Sequence, residues 1–588
     1  MKNFLKYTLA TIVGIVISFF VVLLIAAGII GGITASKEKH ITVKPNTVIT
    51  ISLPKVVERQ ALNPFADFDL GNNKKNTIEG LNKILKAIEA AKIDDNIKGL
   101  YLNAGTFNSG GLATLESIRQ ALTDFHSTGK FIYAYAEIYS QKAYYLSSVA
   151  DKIVVNPAGS IDIKGMGAQL LFFKNALDRL GVQVQIIRGP NNKFKSAVEP
   201  FMYDKMSKAN REQMMVFMGS IWGNMVNQMA GDRNISVEKF NEIADSLWAD
   251  NPVKAKELHI VDQIAYYDQV KQAIKEKLEV KKDKDLNMIS LGEYATTVKR
   301  KNITAKNKIA IIYAVGEIKS GEGNDKIIGS ERIAKAVAKA RKDSSIKAIV
   351  LRVNSPGGSA LASEVIWREL VLAKKVKPLV VSMGDYAASG GYFISCMADK
   401  IVAEPNTLTG SIGVFGMIPN FKKLMNDKLG ITTDEVATNS NTIMGVFNPL
   451  TPYQRKSIQN SVVRVYNAFV NHVAQGRNMT PADVDKIGQG RVWSGSNAVK
   501  IGLVDELGDI NKAIEIAANL ANVKKYKIVE RPARINPIEE FVKQFGNNVK
   551  IKLMQNELGQ TYKYYNYLKT MENCNGIQAR LPFIMEIN

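Results

Sequence analysis

Apolar residues recur along this chain at two alternating spacings, and the alternation sets out the elements. Ile41-Thr-Val and Val48-Ile-Thr-Ile-Ser-Leu53 are short apolar runs that predict strand, followed by a polar loop to about Lys75. Ile78, Leu81, Ile84, Leu85 and Ile88 then fall at three- and four-residue intervals, one face of a helix. Ile97-Lys-Gly-Leu-Tyr-Leu102 predicts a strand, Ser109-Gly110-Gly111 a Gly-rich loop, and Leu112 to about Phe125 a second helix. Strand and helix go on alternating, which predicts an α/β fold layered on a mainly parallel sheet.

The same succession returns roughly 245 to 250 residues later, a period that fits two copies of one domain and not a solenoid. Ile97–Leu102 matches Ile346-Lys-Ala-Ile-Val-Leu351, and Ser109-Gly110-Gly111 matches Pro356-Gly357-Gly358. Ala150-Asp-Lys-Ile-Val154 matches Ala398-Asp-Lys-Ile-Val402, and Gly159-Ser160-Ile161 matches Gly410-Ser411-Ile412. Trp248 and Val261-Asp262 match Trp493 and Val504-Asp505. The chain therefore reads as a tandem duplication over residues 44–285 and 308–532, joined by a linker at 286–307. A C-terminal extension, 533–588, is Tyr- and Asn-rich from Phe545 and is expected to pack on the second copy or a neighbouring subunit.

Residues 1–36 break the pattern. Tyr7 to Ser36 carries no charged side chain, and Ile12 to Ile30 is almost wholly aliphatic or aromatic. Roughly 20 apolar residues span a bilayer as a helix, so this run predicts a single transmembrane anchor. Lys2 and Lys6 precede it without an acid, which predicts a cytoplasmic tip and a large body beyond the cytoplasmic membrane. The small residues Thr34-Ala35-Ser36 leave a cleaved signal peptide as the competing reading, against which the length of the run speaks.

The 588 residues leave room for more than one core, and 46% apolar with 22% charged content argues against disorder. The net charge of +22 would suit anionic headgroups or acidic partners. Its lysines are scattered among acids with no aromatic-interleaved basic block, so no nucleic acid is expected. Cys396 and Cys574 make no disulfide framework, and Cys396 reads as a small core residue. Without a zinc pattern, a dinucleotide fingerprint or a P-loop, no metal or cofactor is expected.

Candidate chemistry centres on Gly384-Asp-Tyr-Ala-Ala-Ser389-Gly390-Gly391-Tyr. An apolar run, Lys377–Met383, predicts a strand before it, and Gly391 to Ala398 predicts the first turns of a buried helix after it. A serine at such a turn exposes its hydroxyl beside free backbone N–H groups. The competing reading is a small-residue turn that lets two elements pack closely. The repeat bears on the choice. Counted from Ala-Asp-Lys-Ile, Ser389 falls opposite Gln141, so the surrounding fold does not require Ala-Ala-Ser-Gly-Gly. Counted from Gly181 and Pro200 against Gly430 and Pro449, Lys195 falls opposite Met444. One copy has the serine and the other the lysine, which suggests a composite site.

A nucleophilic serine needs a base within hydrogen-bond reach. His40, His126, His259 and His472 lie in no Gly-rich turn, so a Ser-Lys dyad is the remaining standard arrangement. Its lysine must be neutral, which burial achieves; Phe194, Ala197, Val198 and Phe201 surround Lys195. Ser411, in Thr409-Gly-Ser-Ile-Gly413, is placed to orient that lysine. Ser355-Pro-Gly-Gly358 and the N–H of Gly390 would supply an oxyanion hole, although the glycines could simply reverse the chain.

Gly384-Asp-Tyr-Ala-Ala-Ser389-Gly-Gly-Tyr, Asn354-Ser-Pro-Gly-Gly358, Thr409-Gly-Ser-Ile-Gly413 and Lys195-Ser-Ala-Val-Glu-Pro200 together resemble the signal peptide peptidase A (protease IV) family in its long duplicated form. The resemblance covers nearly everything after the anchor. It implies tandem Clp-protease/crotonase-like domains and a membrane-anchored serine endopeptidase that degrades signal peptides and other hydrophobic peptides. It implies Ser389 as nucleophile, Lys195 as general base and Ser411 as the lysine-orienting group, with Gly390 and Gly358 in the oxyanion hole. It further implies a homotetramer opening towards the membrane. Two rivals share these residues: a crotonase-like hydratase using the same glycine turn, and an inactive membrane scaffold.

Overall fold

Strands form where apolar runs are unbroken, because a parallel sheet is covered on both faces. Ile346–Ser355 is typical, with every residue buried except Lys347 and the half-buried Asn354. The computed structural model describes residues 6–8, 10–21, 41–59, 78–107, 110–281, 284–298, 304–534 and 577–580.

Two sheets carry the same strand order. The first runs β8 (Gln263–Ile264), β6 (Lys152–Ile161), β5 (Phe131–Tyr139), β4 (Ile97–Asn103), β1 (Thr47–Ile51), β9 (Met288–Ser290), all parallel. The second contains the equivalent path β20 (Glu506–Leu507), β16 (Lys400–Ala403), β15 (Leu379–Ala388), β13 (Ile346–Ser355), β10 (Lys308–Val315), β21 (Lys527–Arg531), again parallel. Beside β15, the second sheet also holds β17 (Leu408–Gly410) and its antiparallel partner β19 (Val492–Ser494). The single long β6 of the first sheet thus corresponds to β16 and β17 of the second.

Equivalent helices cover equivalent strands. Leu81–Ile93 buries Leu81, Ile84, Leu85 and Ile88, and Ser330–Lys342 buries Ile333, Ala336, Val337 and Ala340. Ile78 falls instead in β3 (Ile78–Gly80), which pairs with β2 (Lys55–Val57). Residues 41–44 have no regular structure, so strand begins at Thr47 and not at Ile41. Residues 286–307, read as a linker, contain β9 and the helix Leu291–Thr297, capped reciprocally by Ser290 and Glu293. Both belong to the first sheet's layer, since β9 pairs with β1.

A third sheet joins the copies. Its order is β12 (Ile327–Gly329), β11 (Glu317–Lys319), β14 (Gly357–Ser359), β22 (Ile577–Arg580), β18 (Phe415–Asn420), β7 (Gln183–Arg188). β7 comes from the first copy and runs antiparallel to β18 of the second over six residue pairs. β22 comes from the C-terminal extension. Residues 45–588 form one compact unit and residues 1–44 another. In the latter, residues 10–21 are helical, with Ile12, Ile15, Ile17, Phe19 and Phe20 exposed. Among the described residues no helix is long and apolar enough to cross a membrane; residues 22–30 of the expected span lie outside them. Cys396 is a buried free thiol, as a core residue should be, and Cys574 lies outside the described residues.

Candidate active site

β15 ends at Ala388 and a helix starts at Gly390, leaving Ser389 as the hinge residue between them. Its backbone is held at φ 56 and ψ −115, a conformation few L-residues adopt. The Ser389 N–H donates to the Gly410 carbonyl at 2.8 Å, which ties the turn to β17. The helix after it is short, Gly390–Phe393, and does not continue to Ala398. Ser411 also has positive φ, 51, and its N–H donates to Arg491 O at 2.7 Å.

Lys195 reaches this turn from the first copy. The β7–β18 ladder brings the segment alongside. Beyond β7, Asn192 Nδ2 donates to Val414 O at 3.0 Å and the Phe194 N–H donates to Gln489 O at 2.9 Å. Gln213 Nε2 donates to Phe194 O at 2.9 Å. Gly490, at φ 84, lies so close that a Cβ there would stand 2.5 Å from Lys195 Cβ. Lys195 Nζ lies 2.8 Å from Ser389 Oγ, 2.9 Å from Ser411 Oγ and 3.1 Å from Ser411 O. Ser389 Oγ has a longer contact, 3.4 Å, with Gly413 O. Ser389, Lys195 and Ser411 are all fully buried.

Burial alone pushes the Lys195 amine well below the usual lysine range, and no carboxylate opposes it. A neutral amine has two N–H groups and one lone pair. The Ser411 carbonyl can only accept, so it takes one N–H; Ser411 Oγ can take the second. The lone pair is then left for the Ser389 O–H at 2.8 Å. That is the geometry a hydroxyl nucleophile and an amine base require.

The glycine turn stands on the other side of Ser389. Gly357 has φ 97, and a Cβ on it would come within 2.1 Å of the Ala579 carbonyl oxygen and 2.8 Å of Gly390 N. Gly358 pairs with Ala579 in the antiparallel β14–β22 ladder. Gly390 and Gly357 are thus brought together beside the Ala579 carbonyl, and Gly358, the other expected oxyanion residue, stands next to Gly357 in register with Ala579.

The first copy fills the equivalent places differently. The carboxylate of Asp385 occupies its Gly110–Gly111 turn: Thr114 N and Thr114 Oγ1 each donate to it at 2.9 Å, and a Cβ on Gly111 would stand 2.2 Å from Asp385 Cγ. Gln141 is buried, and its Oε1 accepts from Lys164 N and Gly165 N at 3.0 and 2.9 Å. Ser140 sits between β5 and the helix Gln141–Ser147, but at φ −68 its hydroxyl caps that helix by accepting from Ala143 N. Met444 is half exposed, outside any such cluster. Ser109 lies outside the described residues.

The profile of peptidase family S49 matches residues 124–281 and 372–524. "Protease 4" of Haemophilus influenzae is 37% identical over 457 residues, 76% of this chain and 74% of that protein. "Protease 4" of Salmonella typhi is 39% identical over 453 residues, 76% and 72% of the two chains. "Serine protease SPPA, chloroplastic" of Arabidopsis thaliana is 31% identical over 509 residues, 84% and 73%. The chain belongs to peptidase family S49. It is accordingly a serine peptidase, a hydrolase of peptide bonds. The two S49 segments divide the cluster between them, Lys195 in the first and Ser389 with Ser411 in the second. Sequence reasoning overlooked Gly490, which gives Lys195 its room, and β22, whose only signal was Ile577-Gln-Ala-Arg580 alternating in a Tyr- and Asn-rich tail.

Proposed function

We propose that this S49 peptidase works through a Ser389–Lys195 dyad on hydrophobic peptides, most characteristically cleaved signal peptides. The contact of the fully buried Lys195 amine, whose charged form burial disfavours, with Ser389 Oγ carries the reading. Lys195 takes the Ser389 proton as Oγ attacks the scissile carbonyl, and returns it to the leaving amine. Ser411 holds Nζ in place. The N–H groups of Gly390 and Gly358 meet the oxyanion. Each copy is a Clp-protease/crotonase-like domain, and only the second keeps its glycine turn open to a peptide.

An apolar substrate is supported by a cavity of about 540 Å³ beside β14 and β22, lined by Leu361, Phe393, Val465, Ala468 and Ile577 among others. The uncharged stretch Tyr7–Ser36, preceded by Lys2 and Lys6, supports a single-pass anchor in the cytoplasmic membrane with the body on its outer face. Assembly as a homotetramer is proposed on the family resemblance alone. Ser389→Ala and Lys195→Ala should each lower hydrolysis of a fluorogenic apolar peptide by on the order of 10⁴-fold, with unchanged circular dichroism. Wild-type turnover by folded Lys195→Ala protein would discard the dyad.

A further inference from the structure

We propose that Gln213 is a positioning residue for the dyad, its single side-chain amide fixing the Lys195 segment and the Ser411 turn to each other. The inference rests on the dyad reading above and adds a residue that touches neither substrate nor reacting atoms.

Gln213 lies in the helix Lys208–Arg233 of the first copy and has no exposed surface. Its Nε2 lies 2.9 Å from Phe194 O, 3.0 Å from Ser196 Oγ and 3.1 Å from Asn210 Oδ1. The amide therefore grips the residues on both sides of Lys195. Its Oε1 accepts from the Val492 N–H at 3.2 Å. Val492 stands opposite Gly410 in the β17–β19 ladder, and Arg491 O, one residue earlier, accepts from the Ser411 N–H at 2.7 Å. A backbone carbonyl only accepts and a backbone N–H only donates, so one orientation of the amide serves both. Asn210 reinforces it: its Nδ2 donates to the buried Glu199 at 3.0 Å, which leaves Oδ1 for Gln213.

The sister copy carries the same helix without this amide. Pro452–Arg477 is likewise 26 residues long, begins behind a hydroxyl cap and ends at an asparagine of positive φ. Counted from the caps Ser207 and Thr451, Gln213 falls opposite Ser457, which is exposed. The Lys195 segment also has other fastenings. The Phe194 N–H donates to Gln489 O at 2.9 Å, and the Arg491 guanidinium lies over the Phe194 and Trp493 rings, 4.6 and 4.5 Å from their centroids. Removing the amide should therefore misplace Lys195 without detaching its segment.

The test is hydrolysis of a fluorogenic apolar peptide across pH by wild type, Lys195→Ala, Gln213→Met and the pair Glu199→Gln and Glu199→Met, with folding followed by circular dichroism. Gln213→Met should lose on the order of 10²-fold in kcat with KM unchanged, the cost of about 1 Å of misplacement. The acid limb of its kcat/KM profile should move to higher pH, because an amine out of its seat regains water. Lys193, Glu199, Glu212 and Arg491, the charged side chains beside the clasp, are all retained in that variant. A smaller folded fraction would scale the rate and leave the limb where it was. Should Gln213→Met not fold, the Glu199 pair decides: Glu199→Gln keeps an acceptor for Asn210 Nδ2 and should keep kcat, whereas Glu199→Met should lose it. Equal kcat in that pair, or failure of both Met variants to fold, overturns the inference. Gln213→Met with wild-type kcat, or with a loss that leaves the limb unmoved, overturns it too, while an inert Lys195→Ala keeps the dyad standing. Wild-type turnover by folded Lys195→Ala overturns both.

Discussion

As the proposed base, Lys195 must act uncharged, and burial alone disfavours its charged form. Two pH effects follow, and their signs can be worked out. A general base must be unprotonated, so kcat/KM should rise with pH and level off well below the ordinary lysine value of ~10.4. The native state also binds fewer protons than the unfolded chain between the lowered pKa and that value. Stability from this group is therefore gained as pH rises through that window and lost on acidification. Lys195→Met should flatten that part of the stability profile, and a rate plateau reached only near pH ~10 would contradict the assignment. Glu404 acts in the opposite sense: burial pushes it up to about 8 despite its contact with Ser117, so its contribution is lost as pH climbs to that point. Placement matters as much as charge. Gly490→Ala would put a methyl 2.5 Å from Lys195 Cβ at a backbone φ of 84. A shift of about 1 Å at the base should lower kcat by roughly 10²-fold while the far-ultraviolet spectrum stays unchanged. Ser389 and Lys195 were legible as a pair from the small-residue turn, the lack of a histidine in any such turn and the four motifs; the contrast between the copies was weaker, since the first copy carries Ser140 at its own strand-to-helix junction. Gly490 was not, since its constraint is the approach of a distant backbone.

Elements from both copies meet at this site, and polar contacts fasten them. Arg352 of β13, 1% exposed, pairs with Glu58 beyond β2 at 2.8 Å and donates through Nη1 to Ser382 Oγ and Met383 O, each at 2.9 Å. Asn354 Nδ2 donates to the same Glu58 at 2.8 Å. Asp385, one strand over, plugs the first copy's glycine turn. Arg352→Met would leave Glu58 buried without its cation, at a cost of about 3–5 kcal/mol. Chemical denaturation should show that loss, and a change under about 1 kcal/mol would mean the pair is solvated in solution. The alternation of strand and helix was readable because buried parallel strands and one-sided helices have distinct spacings. β9 was not, because three residues beside a charged run carry no period. The four-residue helix after Ser389 was overestimated, since the apolar residues that follow it are equally buried in turns.

The two halves differ at their glycine turns within a shared frame of strands. Both keep one strand order, yet one glycine turn receives a carboxylate from its sister and the other a peptide carbonyl. The third sheet bears on that second turn. With β22 in place six strands are continuous; without it β14 and β18 become facing edges, one on the Ser389 side and one on the Lys195 side. Such a slot admits a chain only through backbone groups that are still unpaired. A strand already committed to its own sheet, or a helix with its bonds closed internally, has nothing to offer it. On the proposed function, the folded proteins around the enzyme would be spared without an inhibitor, because their hydrogen bonds are already spoken for.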